Sequence, residues 1–84
     1  MIQDIEILQI ALQPFGYKIT KEESGPMDSG VVVFSNDKKI FEITKDRSQW
    51  FLGGKKEDLE PLGLWRAFDD THEFKNALLG FLNA

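Results

Sequence analysis

The segment that most constrains the fold of this chain runs from Gly30 to Gly54. It contains three short runs of β-branched and aromatic residues, at Val31–Ser35, Lys39–Lys45 and Gln49–Leu52. Asn, Asp and Ser residues separate the runs, and these residue types favour turns. We therefore predict three consecutive antiparallel strands joined by two tight turns, which together make a β-meander.

An amphipathic helix is predicted on each side of the meander. Isoleucine and leucine residues recur at helical spacing over Ile2–Gln13, and Pro14 ends that pattern. The second helix is expected to begin after Asp70, a good N-cap residue, with Glu73 in the position of a capping box. Its apolar stripe continues to Leu82.

The alternation of apolar and polar residues over Tyr17–Glu23 predicts one more strand, ahead of the meander. Residues 59–68 fit either a short strand or a connection that follows one helical turn around Glu57–Glu60. The predicted fold class is α+β, with one domain spanning residues 1–84. An antiparallel sheet of about four strands is expected to carry the N-terminal and C-terminal helices on one face.

Length and composition narrow the class of protein further. The chain has 84 residues and no cysteine, so disulfides and thiolate metal sites are excluded. Neither a signal-peptide pattern nor an apolar run of membrane-spanning length is found in the sequence. We therefore expect a cytoplasmic protein that does not bind a membrane.

Charge is distributed unevenly along the chain, whose net charge is −4. Residues 1–30 carry two lysines against five acids, residues 31–56 six cations against three acids, and residues 57–84 two cations against six acids. An acidic total disfavours general binding to nucleic acid or to anionic membranes. It favours a protein partner, in particular a basic one.

Motifs for catalysis are sparse. The single histidine, His72, lies beside Asp69 and Asp70, which supports a small hydrolase as a third hypothesis. The same residues also fit a solvated first turn of a helix, where acids complement the helix dipole. No nucleophile motif or phosphate-binding loop is present in the sequence. We expect no enzyme activity, no metal and no cofactor.

Two pairs of tryptophan and arginine suggest a binding surface, because these residue types are enriched at interaction hot spots. The predicted contact residues are Asp46, Arg47, Trp50, Trp65 and Arg66, together with an acidic face of Glu57, Asp58, Glu60, Asp69 and Asp70. A core of this size also needs large aromatic residues, so the sequence does not decide whether either tryptophan is buried.

The leading hypothesis is a non-enzymatic protein-interaction domain. The alternative is a single-stranded nucleic-acid-binding protein, since cations surround an aromatic residue in the meander. That hypothesis uses Lys38, Lys39, Lys45, Arg47 and Trp50. An exposed sheet edge would allow either a monomer or a homodimer.

The segment from Phe41 to Leu52 resembles a pattern found in small bacterial immunity proteins of toxin–immunity systems. In that pattern a strand leads to Asp-Arg-Gly/Ser-Gln and an aromatic pair opens the next strand; the matching residues here are Asp46, Arg47, Gln49, Trp50 and Phe51. Ser48 stands where that family usually has glycine. The resemblance implies a cytoplasmic inhibitor that binds one cognate toxin and has no catalytic activity.

Overall fold

The computed structural model describes residues 2–82 and confirms the predicted α+β class. In chain order its elements are α1 (Ile5–Leu12), a 3₁₀ turn (Gln13–Phe15), β1 (Lys18–Gly25), β2 (Ser29–Ser35), β3 (Ile40–Asp46), β4 (Gln49–Leu52), α2 (Lys56–Leu59), a second 3₁₀ turn (Glu60–Leu62) and α3 (Thr71–Leu82). Of the helices in this part of the chain, none is long and apolar enough to cross a membrane.

The four strands form one antiparallel sheet in the order β1-β2-β3-β4, which is the predicted meander with one strand ahead of it. Val31 of β2 lies opposite Thr44 of β3, and Thr44 lies opposite Phe51 of β4. Strand β4 has the predicted bounds, and the ends of the other strands differ from the prediction by at most two residues. The two-residue differences are at the end of β1, which continues to Gly25 rather than Glu23, and at the start of β2, which begins at Ser29 rather than Val31.

One face of the sheet is buried and the other is open. Because side chains alternate along a strand, Ile43 and Lys45 of β3 point to the same face as Trp50 of β4, and all three are buried. Their neighbours Thr44 and Phe51 point the other way and are partly exposed. Buried residues of α1 and α3 join the core on the first face, as predicted.

Helix α1 lies beside β1 and β2, and contacts at its two ends define its direction. Before the helix, the Gln3 amide donates a hydrogen bond to Asp28 Oδ1 (2.6 Å) in the β1–β2 turn. After the helix, the Phe15 carbonyl accepts one from the Asn36 side chain (2.9 Å) in the β2–β3 turn. The helix therefore runs from the first of these turns to the second.

Helix α3 runs beside α1 in the same direction. At its start, Thr71 Oγ1 accepts a hydrogen bond from Trp50 Nε1 (2.9 Å). At its end, the Phe81 ring centre lies 5.0 Å from Lys39 Nζ, next to the β2–β3 turn. The middle of the helix is anchored by Phe74, which is fully buried. The last helix of the chain thus covers β3 and β4.

The chain between β4 and α3 contains elements of both structures predicted for it. Helix α2 is the expected helical turn, and Gly63, with φ +72°, ends the 3₁₀ turn that follows. The chain then returns along β4, where the main chains of Phe68 and Trp50 exchange two hydrogen bonds of 2.8 and 2.9 Å. Residues 64–68 consequently lie along the outer edge of β4.

The capping box predicted at the start of α3 is wrong. The Glu73 carboxylate binds the Arg66 guanidinium instead of the main chain of Asp70. Asp70 still contributes to the first turn, because its Oδ1 accepts from the His72 amide (3.3 Å) and its carbonyl accepts from the Phe74 amide (3.0 Å). Glu73 therefore connects α3 to the returning segment.

Candidate interaction surface

An exposed tryptophan marks a groove beside β4. The Trp65 side chain is 48% exposed, and it lines the same groove as Phe51, the outward-facing aromatic residue of β4. The groove has a volume of about 400 Å³. Its lining residues are Phe51, Leu52, Gly53, Gly54, Leu64, Trp65 and Arg66. We call it the β4 groove.

The local sequence explains why Trp65 faces outward. Leu64 and Phe68, on either side of it, are fully buried and anchor the segment to the core. The Leu64 amide also donates a hydrogen bond to the Leu59 carbonyl (3.0 Å), which closes the turn before the tryptophan. Because Leu64 directly before it and Phe68 three residues after it are held in the core, Trp65 projects from the edge of β4.

Arg66 places a positive charge at the rim of the β4 groove. Its guanidinium carbon lies 3.9 Å from the ring centre of Phe68, a cation–π contact, and the same group binds Glu73. These two contacts restrict the arginine beside Trp65, although its side chain stays half-exposed. Glu73 balances its charge, so the rim is not basic overall.

The acids predicted to form one face fall into two groups. One group follows the carboxyl end of β4 and comprises Glu57, Asp58 and Glu60. The other comprises Asp69 and Asp70, and Asp69 Oδ1 accepts a hydrogen bond from Gln49 Nε2 (2.6 Å) at the amino end of β4. The two terminal Cα atoms of β4 lie roughly 10 Å apart, since a strand rises about 3.3 Å per residue. The β4 groove lies between the two groups.

Trp50 is not on this surface, and the prediction that it contacts a partner is wrong. Its side chain is 1% exposed, and its ring stacks on Phe74 with 5.7 Å between ring centres. The reason is the alternation along β4, which points Trp50 to the face that the helices cover and Phe51 to the open face. Of the two tryptophans, Trp65 alone is available for contact.

Asp46 and Arg47 are exposed at the β3–β4 turn. Arg47 and Ser48 have φ angles of +52° and +67°, the left-handed conformations that a two-residue type I′ turn requires. Asp46 lies opposite Gln49 in the sheet, and Gln49 binds Asp69. The turn therefore brings Asp46 close to the second acidic group.

The residues of the nucleic-acid hypothesis do not share one surface. Lys45 and Trp50 are buried against each other, with 4.6 Å between Lys45 Nζ and the ring centre, so their predicted exposure is wrong. Lys38, Lys39 and Arg47 are exposed. Without Trp50 between them, these cations lack the aromatic platform on which bases would stack.

The residues of the hydrolase hypothesis have structural partners. Asp69 binds Gln49, Asp70 bonds to the first turn of α3, and His72 is exposed in that turn. Within residues 2–82, no three histidine, aspartate or glutamate side chains are grouped closely enough to hold a metal ion. The two carboxylates thus serve the packing of α3 against β4.

A partly buried ion pair that was not predicted from the sequence lies under the end of the sheet. Lys45 Nζ lies 2.8 Å from Asp28 Oδ2 and donates a second hydrogen bond to the Gln3 carbonyl (2.9 Å). The hydrogen bond from Lys45 holds the pKa of the Asp28 carboxyl below its usual value, despite partial burial. The pair joins the segment before α1, the β1–β2 turn and β3.

A signal for the buried lysine was present in the sequence. Phe41, Ile43 and Lys45 are spaced by two, which puts the lysine on the face of β3 that carries the apolar residues. The same two-residue period in β4 buries Trp50 and turns the next residue, Phe51, to the open face. Phe51 was not among the predicted contact residues. The burial of Lys45 and the outward position of Phe51 both follow from the strand alternation once the buried face of the sheet is known.

Comparison with known proteins does not extend this description. No family model, no curated protein and no solved structure matches the chain. The resemblance of the Asp46–Phe51 segment to immunity proteins stays a prediction.

Proposed function

We propose that this chain is a non-catalytic protein-binding domain that holds a basic partner against the β4 groove. The main support is the exposed Trp65, which shares a groove with Phe51 and has acidic residues beyond both ends. Tryptophan is the residue type most often found at the energetic centre of an interface. Carboxylates around it speed the approach of a basic partner and disfavour acidic ones.

We further propose that the partner is a bacterial toxin and that the chain is its immunity-type inhibitor. This finer proposal is supported by the resemblance over Asp46–Phe51 and by the net negative charge beyond the two ends of the β4 groove. That charge is −1 over residues 55–60, where Lys56 pairs with Glu60 (3.7 Å), and −2 at Asp69 and Asp70. A nuclease-type toxin has a basic substrate-binding surface, which complements that charge. Inhibition would require contact alone, because a bound domain excludes the substrate without any chemistry of its own.

Removal of the Trp65 side chain is expected to weaken binding of the partner. The tagged chain would be incubated with nuclease-treated native lysate at about 50 and 300 mM salt, which spans the range where screening becomes strong. Wild type should retain one stoichiometric protein at low salt and less at high salt. Trp65→Ala should bind the identified protein about 30-fold more weakly, as expected for a hot spot of about 2 kcal/mol.

Leu62→Ala is the matched control, because Leu62 is 49% exposed and is not among the residues that line the groove. It should leave affinity within about twofold. Equal losses in both variants would place the contact outside the β4 groove. A captured protein with no enzymatic activity for the chain to block would contradict the inhibitor proposal but not the binding surface.

Reversing the acids should act on the rate of association. A variant with Glu57, Asp58 and Glu60 changed to lysine is expected to associate about tenfold more slowly at low salt, with little change in the dissociation rate. Surface plasmon resonance with the captured partner would measure both rates. An unchanged association rate would remove this acidic group from the binding surface.

A further inference from the structure

A second groove lies at the opposite edge of the sheet, between α1 and β1. Its volume is about 560 Å³. Ile10 of α1, Ile19 of β1 and Phe34 of β2 provide its apolar lining. Ile10 is 71% exposed, although the opposite side of the same helix is buried in the core. We call this site the α1–β1 groove.

An open strand edge forms one wall of the α1–β1 groove. Within residues 2–82, β1 pairs with β2 alone, so its outer edge presents main-chain N–H and C=O groups. Seven of its eight residues are exposed. A β-bulge at Thr20 bends the strand, yet β2 pairs with it on both sides of the bulge. A strand added at the outer edge can likewise pair with β1 on both sides of the bulge.

Charged residues give the groove an acidic end and a basic end. Glu6 lies in the first turn of α1, which is near the β1–β2 turn. Glu22 points to the side of the helices, because its partner in the sheet, Val32, is buried in the core. Lys18, at the start of β1, lies at the other end of the groove, and its sheet partner Ser35, opposite the exposed Ile40, shows that its side chain points to the open face. A bound chain therefore meets opposite charges at its two ends.

A second copy of the chain fits this edge less well than a peptide does. Two-fold symmetry in an antiparallel pair sets one residue of β1 opposite itself. The register centred on Glu22 pairs Lys21 with Glu23 of the other copy but also opposes the two Glu22 carboxylates. Centring on Lys21 or on Glu23 opposes like charges as well.

Centring on Thr20 would pair Lys18 with Glu22, but it puts the symmetry axis on the β-bulge, where the regular ladder is interrupted. Centring on Ser24 sets Glu22 opposite Pro26, which has no N–H to donate.

We propose that the α1–β1 groove binds an extended peptide segment of a partner protein as a fifth, antiparallel strand of the sheet. A peptide antiparallel to β1 begins at Glu6 and Glu22 and ends beside Lys18. The matching segment has a basic residue near its amino end, apolar residues at alternate positions facing Ile10 and Ile19, and an acidic residue near its carboxyl end. This site is independent of the β4 groove.

The test uses three end-blocked peptides and NMR of the ¹⁵N-labelled chain. The first peptide is Arg-Thr-Val-Thr-Val-Glu-Thr, in which the valines face the helix side and the glutamate faces the open side, as Lys18 does. The second has the arginine and glutamate exchanged, and the third has serine in place of valine. The first should shift the amides of residues 18–25 and 6–13 and saturate at about millimolar concentration, a modest affinity for so short a ligand. The other two should bind at least about fivefold more weakly.

Two variants locate the binding in the groove. Ile10→Glu should weaken the first peptide by about tenfold, because it places a charge where an apolar side chain would pack. Ile40→Glu is the matched control, since Ile40 is equally exposed, at 71%, and lies on β3. It should leave the affinity unchanged. Both positions are exposed, so neither substitution should affect folding.

Three results would overturn the proposal. The first is an absence of shifts in β1 with any peptide at several millimolar. The second is equal binding of the two charge orders, which would remove the assigned direction. The third is sedimentation of the free chain as a dimer that Ile10→Glu dissociates, because a second copy would then occupy the groove.

Discussion

Replacing Trp50 by alanine is expected to lower the free energy of unfolding by about 3–5 kcal/mol, the usual cost of deleting a fully buried large aromatic side chain. The ring stacks on Phe74, lies beneath Lys45 Nζ and donates its Nε1–H to Thr71 Oγ1. One substitution therefore removes contacts to both α3 and β3. A domain of this length has a total stability of about 4–13 kcal/mol, so the variant is expected to be marginally folded.

Trp65→Ala is the internal comparison, and it should cost about 0.5–1 kcal/mol because half of that side chain is already in water. Urea unfolding followed by far-UV circular dichroism would measure both variants without depending on tryptophan fluorescence. Similar losses for Trp50→Ala and Trp65→Ala would show that the assignment of one tryptophan to the core and the other to the surface is wrong.

The meander and the two long helices could be predicted because each depends on local patterns. The runs of β-branched and aromatic residues at Val31–Ser35 and Gln49–Leu52 are visible within five residues of sequence, and the stripe that ends at Leu82 repeats at helical spacing. The structure confirms these elements with shifts of a few residues. The local sequence patterns of these strands and helices agree with the tertiary fold, so tertiary packing did not override any of them.

Which face of the sheet would be buried could not be read from one strand. In β4, Trp50 and Leu52 alternate with Gln49 and Phe51, and both sets contain an aromatic residue. The choice depends on the cross-strand register, which places Trp50 beside Lys45 and the helices. The predicted role of Trp50 failed at this step, because a contact role required the opposite face.

The separation of the acidic residues into two groups at opposite ends of β4 could not be predicted from the sequence either. Glu57 and Asp69 lie twelve residues apart in a segment rich in acids, and they were predicted to share one acidic face. The chain between them turns at Gly63 and returns along β4, so they reach opposite ends of that strand. A return of this kind is set by the pairing of Phe68 with Trp50, a contact between residues 18 positions apart. Local composition carries no information about such pairing.

Asp28→Ala is expected to destabilise the fold by about 3 kcal/mol at pH 7. Lys45 is 4% exposed and would lose the one carboxylate partner it has within residues 2–82, which leaves a buried ammonium group with one carbonyl and an aromatic ring. We take the low end of the range for broken buried pairs, since Asp28 itself is 22% exposed and water screens it. Asp37→Ala, at an exposed position of the β2–β3 turn, should change stability by less than about 0.5 kcal/mol.

Adding Lys45→Met to Asp28→Ala should recover more than half of the loss. Methionine retains most of the apolar length of lysine beside Trp50 and removes the unpaired charge. The double variant thus separates the cost of a buried charge from the cost of lost packing. No recovery would mean that Asp28 acts mainly through its hydrogen bond to the Gln3 amide, which anchors the segment before α1.

The effect of Asp28→Ala should depend on pH in one direction. Because the pKa of Asp28 is lower in the folded chain than in the unfolded one, its ionised form stabilises the fold above the unfolded value of about 4. That stabilisation is lost as the pH falls through the folded pKa. Urea unfolding at pH 7, 4 and 2.5 should therefore show the gap between wild type and variant shrinking with acid. A gap of constant size would place the loss in packing rather than in the ion pair that joins α1, the β1–β2 turn and β3.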